Sequence, residues 1–232
     1  MKLKDWIILL VIAAVIAVFV FIPGFKTGYE NLNATHGMWM SFAKFALLST
    51  FGESLALRIK TGKYNRKGFG LIPRAIVWGF LGFTIKMAFV IFASGTPILL
   101  TYLGLENAQT ALTTGFSWSA LLVAFSISTA MNLTYAPVMM TTHKVTDTHI
   151  IQNGGTVSGL FSPINVRKIF RELDWDTQWN FVFKKTLPFF WIPAHTITFL
   201  LPPDYQVLFA AALGVALGVI LSFATQKKET PS

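Results

Sequence analysis

Five polar or ionisable residues lie inside long apolar stretches of this sequence: Lys44, Glu53, Lys86, Asn132 and His195. An ionisable side chain within a membrane helix is energetically costly, so it normally faces protein or water instead of lipid. Side chains of these types could bind a solute, or they could form ion pairs and hydrogen bonds between helices. Which of these they do depends on the elements that position them.

Six apolar stretches contain these residues and predict an all-α, polytopic membrane bundle. Each approaches or exceeds the ~20 residues that a helix needs to cross about 30 Å of hydrocarbon. The composition, 53% hydrophobic and 12% charged, is too apolar for an ordinary soluble domain. Continuous apolar runs favour helices over a β-barrel. The predicted spans are residues 6–22, 39–59, 75–102, 118–140, 179–201 and 205–223.

The basic residues predict an orientation. The loops after the second and fourth spans are rich in Lys and Arg. The three loops that alternate with them contain a single basic residue, Lys26. Because excess Lys and Arg mark cytoplasmic loops, both termini are predicted to be cytoplasmic. Basic loops beside anionic lipid also explain the net charge of +9, so membrane lipids are the expected partners and nucleic acid is not.

The chain divides into three predicted segments. Residues 1–37 form an N-terminal transmembrane anchor and an outer loop, residues 38–226 a five-helix membrane domain, and residues 227–232 a cytoplasmic tail. A retained anchor is favoured over a cleaved signal peptide, because the first span is long and lacks an A-x-A-like cleavage site.

The longest inner segment follows the fourth span. Residues 141–159 are polar and Gly-rich, which predicts a loop. Ser162-Pro163 resembles a helix start, and residues 164–173 then predict a short amphipathic helix on the inner membrane surface. His143, Asp147 and His149 could bind a metal, but a solvated loop is the favoured interpretation.

Glycines indicate where helices approach each other closely. Gly79 and Gly82 lie in the third span, and Gly214 and Gly218 form a G-x-x-x-G pair in the sixth. Packing within the chain is favoured for this pair, and a homo-oligomer is left open.

Helical rise places three of the polar residues at similar depth. Counted from the basic inner ends of their helices, Lys86, Asn132 and His195 lie roughly 15–18 Å into the membrane. They predict a cavity or pore near the midplane, with Glu53 and Lys44 at its two sides, and hence a small-solute channel or transporter. A positive balance would favour a small anionic solute.

The alternative is that these residues only hold the bundle together. Asn132 and His195 would then form interhelical hydrogen bonds, and Lys86 would either pair with Glu53 in the interior or extend its side chain to the membrane surface. The protein would be a non-transporting membrane scaffold or a lipid-interacting protein. In either case no enzyme, catalytic residue, cofactor or metal site is predicted, because no nucleophile elbow, P-loop or dinucleotide motif is present.

Several short motifs occur along the second to sixth predicted spans. The C-terminal ones are Trp191-Ile192-Pro193, Thr198-Phe199, Pro203, Tyr205-Gln206 and Leu221-Ser222-Phe223, and the upstream ones are Gly52-Glu53, Arg74, Gly79, Gly82 and Asn132 with Ala136-Pro137. In these motifs the chain resembles the Mpv-seventeen family of small peroxisomal and inner-mitochondrial membrane proteins. The sequence departs from the family pattern where Ile192 separates Trp from Pro, where His195 replaces Gln, and where Lys86 stands in place of His. The resemblance covers residues 44–223. It implies a remote relative in a bacterial inner membrane and a role in small-solute pores.

Overall fold

A computed structural model describes residues 2–229 of the chain, with side chains through Ser222. The described residues form helices and connecting turns and contain no β-strand, which confirms the all-α prediction. Residues 230–232 of the predicted tail, and the side chains of residues 223–229, lie outside the described part. The helices are α1 Leu3–Phe21, α2 Phe25–Thr61, α3 Leu71–Tyr102, α4 Trp118–Gln152, α5 Val157–Leu160, α6 Val166–Glu172, α7 Trp175–Thr177, a π-helix (π1) Gln178–Trp191, α8 Ile192–Leu200 and α9 Pro203–Glu229.

Four helices are long and apolar enough to cross a membrane. They are Leu3–Phe21, Leu71–Tyr102, Trp118–Gln152 and Pro203–Ser222 within α9, with mean hydropathy between 1.4 and 2.6. By the length and composition of these four helices, the chain is a multi-pass membrane protein. The other two predicted spans, residues 39–59 and 179–201, are helical but do not belong to this group, so six crossings are not confirmed.

Helix α2 is longer than predicted. Its N-terminal part occupies the segment expected to be an outer loop, and the backbone bends at His36 (φ −129°, ψ 36°). Helix α1 lies antiparallel beside it, because Asp5 binds Arg58 near one end and Phe19 contacts Tyr29 near the other. No residue of α1 is fully buried, so α1 packs on the outside of the bundle.

Helix α4 also extends further than predicted, because residues 141–152 continue the helix instead of forming a loop. Threonine hydroxyls in this segment donate to carbonyls one turn earlier, as from Thr141 to Pro137 and from Thr148 to Lys144. Buried Ile150 holds the added turns against the rest of the fold. Tertiary packing thus overrides a composition typical of a loop.

The predicted amphipathic helix is present as α6 but begins later than expected. Asn165, and not Ser162, is its N-cap, since its side chain accepts a hydrogen bond from the backbone of Lys168. Helix α3 continues through Pro97 to Tyr102.

The glycines bring α2 close to two neighbours. A Cβ on Gly79 would lie 2.4 Å from the Phe42 ring, and one on Gly82 would lie 2.7 Å from the Ser41 carbonyl oxygen. On the other side, a Cβ on Gly218 would lie 3.4 Å from the carbonyl oxygen of Gly52. The sixth-span glycine pair therefore packs against α2 of the same chain.

An apolar cluster fills one half of the bundle. Helices α2, α3, α4, α8 and α9 contribute to it, and the turns between α3 and α4 add Ala108 and Ala111, which are 1% and 4% exposed. These turns cover the end of the bundle opposite to the basic loops. The largest side chains of the apolar cluster include Phe45, Phe89, Ile127, Met131 and Phe199.

Candidate functional site

The other half of the bundle contains a cavity of about 450 Å³ between α2, α3, α4, π1, α8 and α9. It extends along α9 from Ala210 to Leu221, eleven residues or roughly 16 Å of helical rise. One end of the cavity, its mouth, is formed by exposed residues of the basic side: Lys144, Asp174 and Thr177. The other end, its floor, meets the apolar cluster at Phe89 and Met131. Among the described residues, the exposed polar part of the wall thus lies on the side of the basic loops, and the apolar cluster lies at the opposite end.

The floor brings together Asn132 of α4, Trp191 of π1 and His195 of α8. Asn132 is fully buried and His195 is 8% exposed. The imidazole lies between the Trp191 and Phe89 rings, whose centroids are 5.1 and 5.8 Å from its own. Asn132 Nδ2 lies 3.0 Å from His195 Nδ1, so a hydrogen bond joins α4 to α8 across the bundle.

The hydrogen bonds at the floor fix the amide orientation and the imidazole tautomer. Asn132 Nδ2 also lies 2.8 Å from the Ser128 carbonyl oxygen, which can only accept, so this atom is the amide nitrogen. The same NH₂ group then donates to His195 Nδ1, which must be an acceptor. In the neutral imidazole the proton is therefore on Nε2, which makes Nε2–H a hydrogen-bond donor.

Two buried polar atoms at the floor lack partners. Among the residues that the structure describes, neither Asn132 Oδ1 nor Trp191 Nε1 has a hydrogen-bond partner. Leaving a buried donor or acceptor unpaired costs about 1–3 kcal/mol. The floor thus combines one unpaired acceptor with one unpaired donor, close to a second donor at His195.

An ionic network lies beside the cavity and links three helices. Glu53 of α2 forms an ion pair with Arg74 of α3, and its Oε1 accepts from Trp78 Nε1 and His143 Nε2, each at 2.9 Å. Arg74 also pairs with Asp147 of α4 and donates to the Phe69 carbonyl at 2.7 Å. This network connects α2, α3 and α4 at the basic side of the bundle.

The cavity wall is apolar over most of its surface and its charges nearly balance. Of its described side chains, Glu53 and Asp174 are acidic and Lys144 is basic, besides His143 and His195. Hydrogen bonds from the Thr177 hydroxyl and then the Thr177 backbone amide lower the pKa of Asp174, so this carboxylate is ionised at neutral pH. The positive balance expected from the sequence is absent from this wall.

Three of the five predicted cavity residues meet here, and two do not. Glu53, Asn132 and His195 line the cavity, whereas Lys44 and Lys86 lie toward the opposite side of the bundle. Lys44 Nζ bonds Asn33 Oδ1 and lies 4.8 Å from the centroid of the Tyr29 ring. Lys86 faces the N-terminal part of α2, where its Cε would be 3.6 Å from a Cβ on Gly37. Counting residues gives the depth of a side chain but not the face of the helix on which it lies.

Other expected pairings also differ from the structure. Glu53 pairs with Arg74 and not with Lys86. His143, Asp147 and His149 lie on helix α4 and not in the solvated loop that was expected, and they contact Glu53, Arg74 and Asn153 respectively. No group of three or more His, Cys, Asp or Glu side chains in the described part of the chain could hold a metal ion.

Sequence reasoning missed Trp191, Trp78 and Arg74 as parts of the site. From the sequence, Trp191 and Arg74 stand out only as members of the motifs that resemble a known family. The sequence feature that indicates a buried partner for Arg74 is Asp147, an acidic residue within a basic segment.

No family model, no curated protein and no solved structure matches this chain.

Proposed function

We propose that this protein is a small-solute transporter whose solute enters the cavity from the side of the basic loops. The supporting observation is the cavity itself, which has a polar mouth, a polar floor and an apolar closure beyond it. A channel would need a continuous path, and here the apolar cluster blocks it. A carrier that alternately opens to each side fits this arrangement better than an open pore.

The remaining assignments complete the proposal. The basic loops are cytoplasmic by the positive-inside rule. In addition to the four helices named above, α2 and the π1–α8 segment also cross the membrane, which gives six crossings. The membrane is a bacterial inner membrane. The cavity then faces the cytoplasm. A remote relationship to the Mpv-seventeen family is part of the same proposal, because its motif residues Glu53, Asn132 and Trp191 all line the cavity.

Solute efflux from vesicles tests the proposal. Purified protein would be reconstituted into liposomes loaded with polyols of increasing size, amino acids, or organic anions such as phenylacetate. Met139 lines the cavity, whereas the adjacent Val138 is 65% exposed on the outer face of α4. We expect Met139→Trp to fill the cavity and block efflux, and Val138→Trp to leave it unchanged. Efflux no faster than from protein-free liposomes, for every solute, would reject transport.

A second function is favoured by one feature of the cavity. Helices π1 and α9 both line it but make little direct contact with each other in the described residues. A lipid chain could enter an apolar cavity through such a gap, as expected for a lipid-interacting scaffold. Retention of lipid through purification, together with an absence of solute efflux, would support this function over transport.

A further inference from the structure

We propose that the cavity floor is a recognition site for a neutral hydroxyl group on a small amphiphilic solute. This inference rests on the proposed function, because it names the chemical class of the solute. Its basis is that Asn132 and Trp191 both line one cavity, and that each carries a buried polar atom, Oδ1 and Nε1 respectively, without a partner among the described residues.

The hydrogen-bonding character of the floor selects a hydroxyl. Asn132 Oδ1 can only accept a hydrogen bond, and Trp191 Nε1 can only donate one. His195 Nε2–H is a further donor, because its Nδ1 accepts from Asn132. A hydroxyl group donates its proton to Asn132 Oδ1 and accepts from an indole or imidazole N–H, so it satisfies both kinds of group at once.

Charged groups fit this floor poorly. The floor meets the apolar residues Phe89 and Met131, and the carboxylates and the lysine of the wall, Glu53, Asp174 and Lys144, lie toward the mouth. With a neutral His195, the described floor carries no charge. A carboxylate would be repelled by the Asn132 oxygen, and an ammonium group by the two N–H donors. Burying either without a counter-charge would also incur a large desolvation penalty.

The rest of the solute is expected to be apolar. Between the floor and the mouth the wall is formed largely by aromatic and aliphatic side chains, such as Phe45, Trp78, Met139 and Leu217. A phenyl or short alkyl group there would contact this surface, while the hydroxyl binds at the floor.

Three related probes test the proposal on the wild-type protein in lipid nanodiscs. They are 2-phenylethanol, its methyl ether, which cannot donate, and phenylacetate, which is an anion. We expect 2-phenylethanol to bind most tightly by calorimetry, and the ether to bind about two- to tenfold more weakly, as for the loss of one hydrogen bond. Phenylacetate should bind more weakly than the alcohol.

The location of binding can be read from the tryptophan indole signals. The chain has seven tryptophans, so protein labelled with ¹⁵N-tryptophan gives a small set of indole N–H resonances. Trp191→Phe identifies the Trp191 resonance, which should move downfield with the alcohol and less with the ether. The same variant should weaken binding of the alcohol about two- to tenfold, whereas Trp179→Phe, at a 56% exposed tryptophan outside the cavity wall, should not.

The outcomes separate this inference from the proposed function. Equal affinity for alcohol and ether, an unmoved Trp191 resonance, or no binding of any probe would overturn the hydroxyl site. Such a result together with solute efflux that Met139→Trp blocks would leave transport standing. Hydroxyl preference without efflux of any solute would instead reject transport and retain the binding site.

Discussion

At the scale of single residues, Glu53 is the centre of the interactions that connect the basic ends of α2, α3 and α4. Its carboxylate accepts from Trp78 and His143 and neutralises Arg74, whose side chain is only 8% exposed. Removing one partner of a buried ion pair is costly because the remaining charge stays buried. The carboxylate is therefore expected to contribute more to stability than an exposed acid does.

Glu53→Gln tests this expectation with little change of shape. The amide can still accept from Trp78, but it cannot neutralise Arg74. We expect the free energy of unfolding to fall by about 3 kcal/mol, at the lower end of the range for a broken buried pair, because Asp147 remains beside Arg74. Chemical unfolding in detergent micelles measures the change. Glu106→Gln, at an exposed acid, is the control, and equal stability of the two variants would contradict the role assigned to Glu53.

Sequence reasoning located part of this chemistry. It identified Glu53, Asn132 and His195 because polar residues within apolar stretches stand out against their surroundings. It placed Lys86 beside Asn132 and His195 because the depths of these three residues agree, yet the side chain of Lys86 lies on another face of α3. Trp191 was not recognised as part of the floor, because an apolar aromatic residue in a membrane helix gives no polar signal.

At the scale of helices, the bundle depends on the close approach of α2 to α3 and α9. The glycines that permit this approach were predicted from their spacing, and the structure shows which neighbour each one meets. Helix ends were predicted less well. Residues 25–38 and 141–152 are polar, as loops usually are, but they are helical here because tertiary contacts such as those of Tyr29 and Ile150 hold them.

Gly82→Ala probes the contact between α2 and α3. Its new methyl group would lie 2.7 Å from the Ser41 carbonyl oxygen, so the two helices must separate. We expect a loss of about 1–3 kcal/mol, which is typical of an overpacked core, and a lower melting temperature. Gly95→Ala in the same helix is the matched control, since nothing lies within 4 Å of the added Cβ. A melting temperature that is unchanged by Gly82→Ala would show that the helices are not in close contact there.

At the scale of the whole molecule, the distribution of Lys and Arg predicts that the α2–α3 and α3–α4 connections lie on opposite sides of the membrane. Reporter fusions or accessible tags at Lys67 and Glu106, which are both exposed, would measure this. We expect Lys67 to be cytoplasmic and Glu106 to be external. If both positions reported the same compartment, α3 would not be a membrane span.

In the proposed mechanism, water and solute reach the cavity from the side of the basic loops. The chain contains no cysteine, so single cysteines can be introduced without altering the background. Leu217 and Ile220 lie on the same helix, but Leu217 lines the cavity, whereas Ile220 is 53% exposed on the outer surface of the bundle. A thiol in lipid does not ionise and is not labelled, while a thiol in a hydrated cavity is.

Labelling with a membrane-impermeant thiosulfonate, added to either side of oriented vesicles, is the most direct measurement. We expect Leu217→Cys to be labelled from the side of the basic loops only, and Ile220→Cys from neither side. An unlabelled Leu217→Cys, or one that is labelled only from the opposite side, would contradict a hydrated cavity with this orientation.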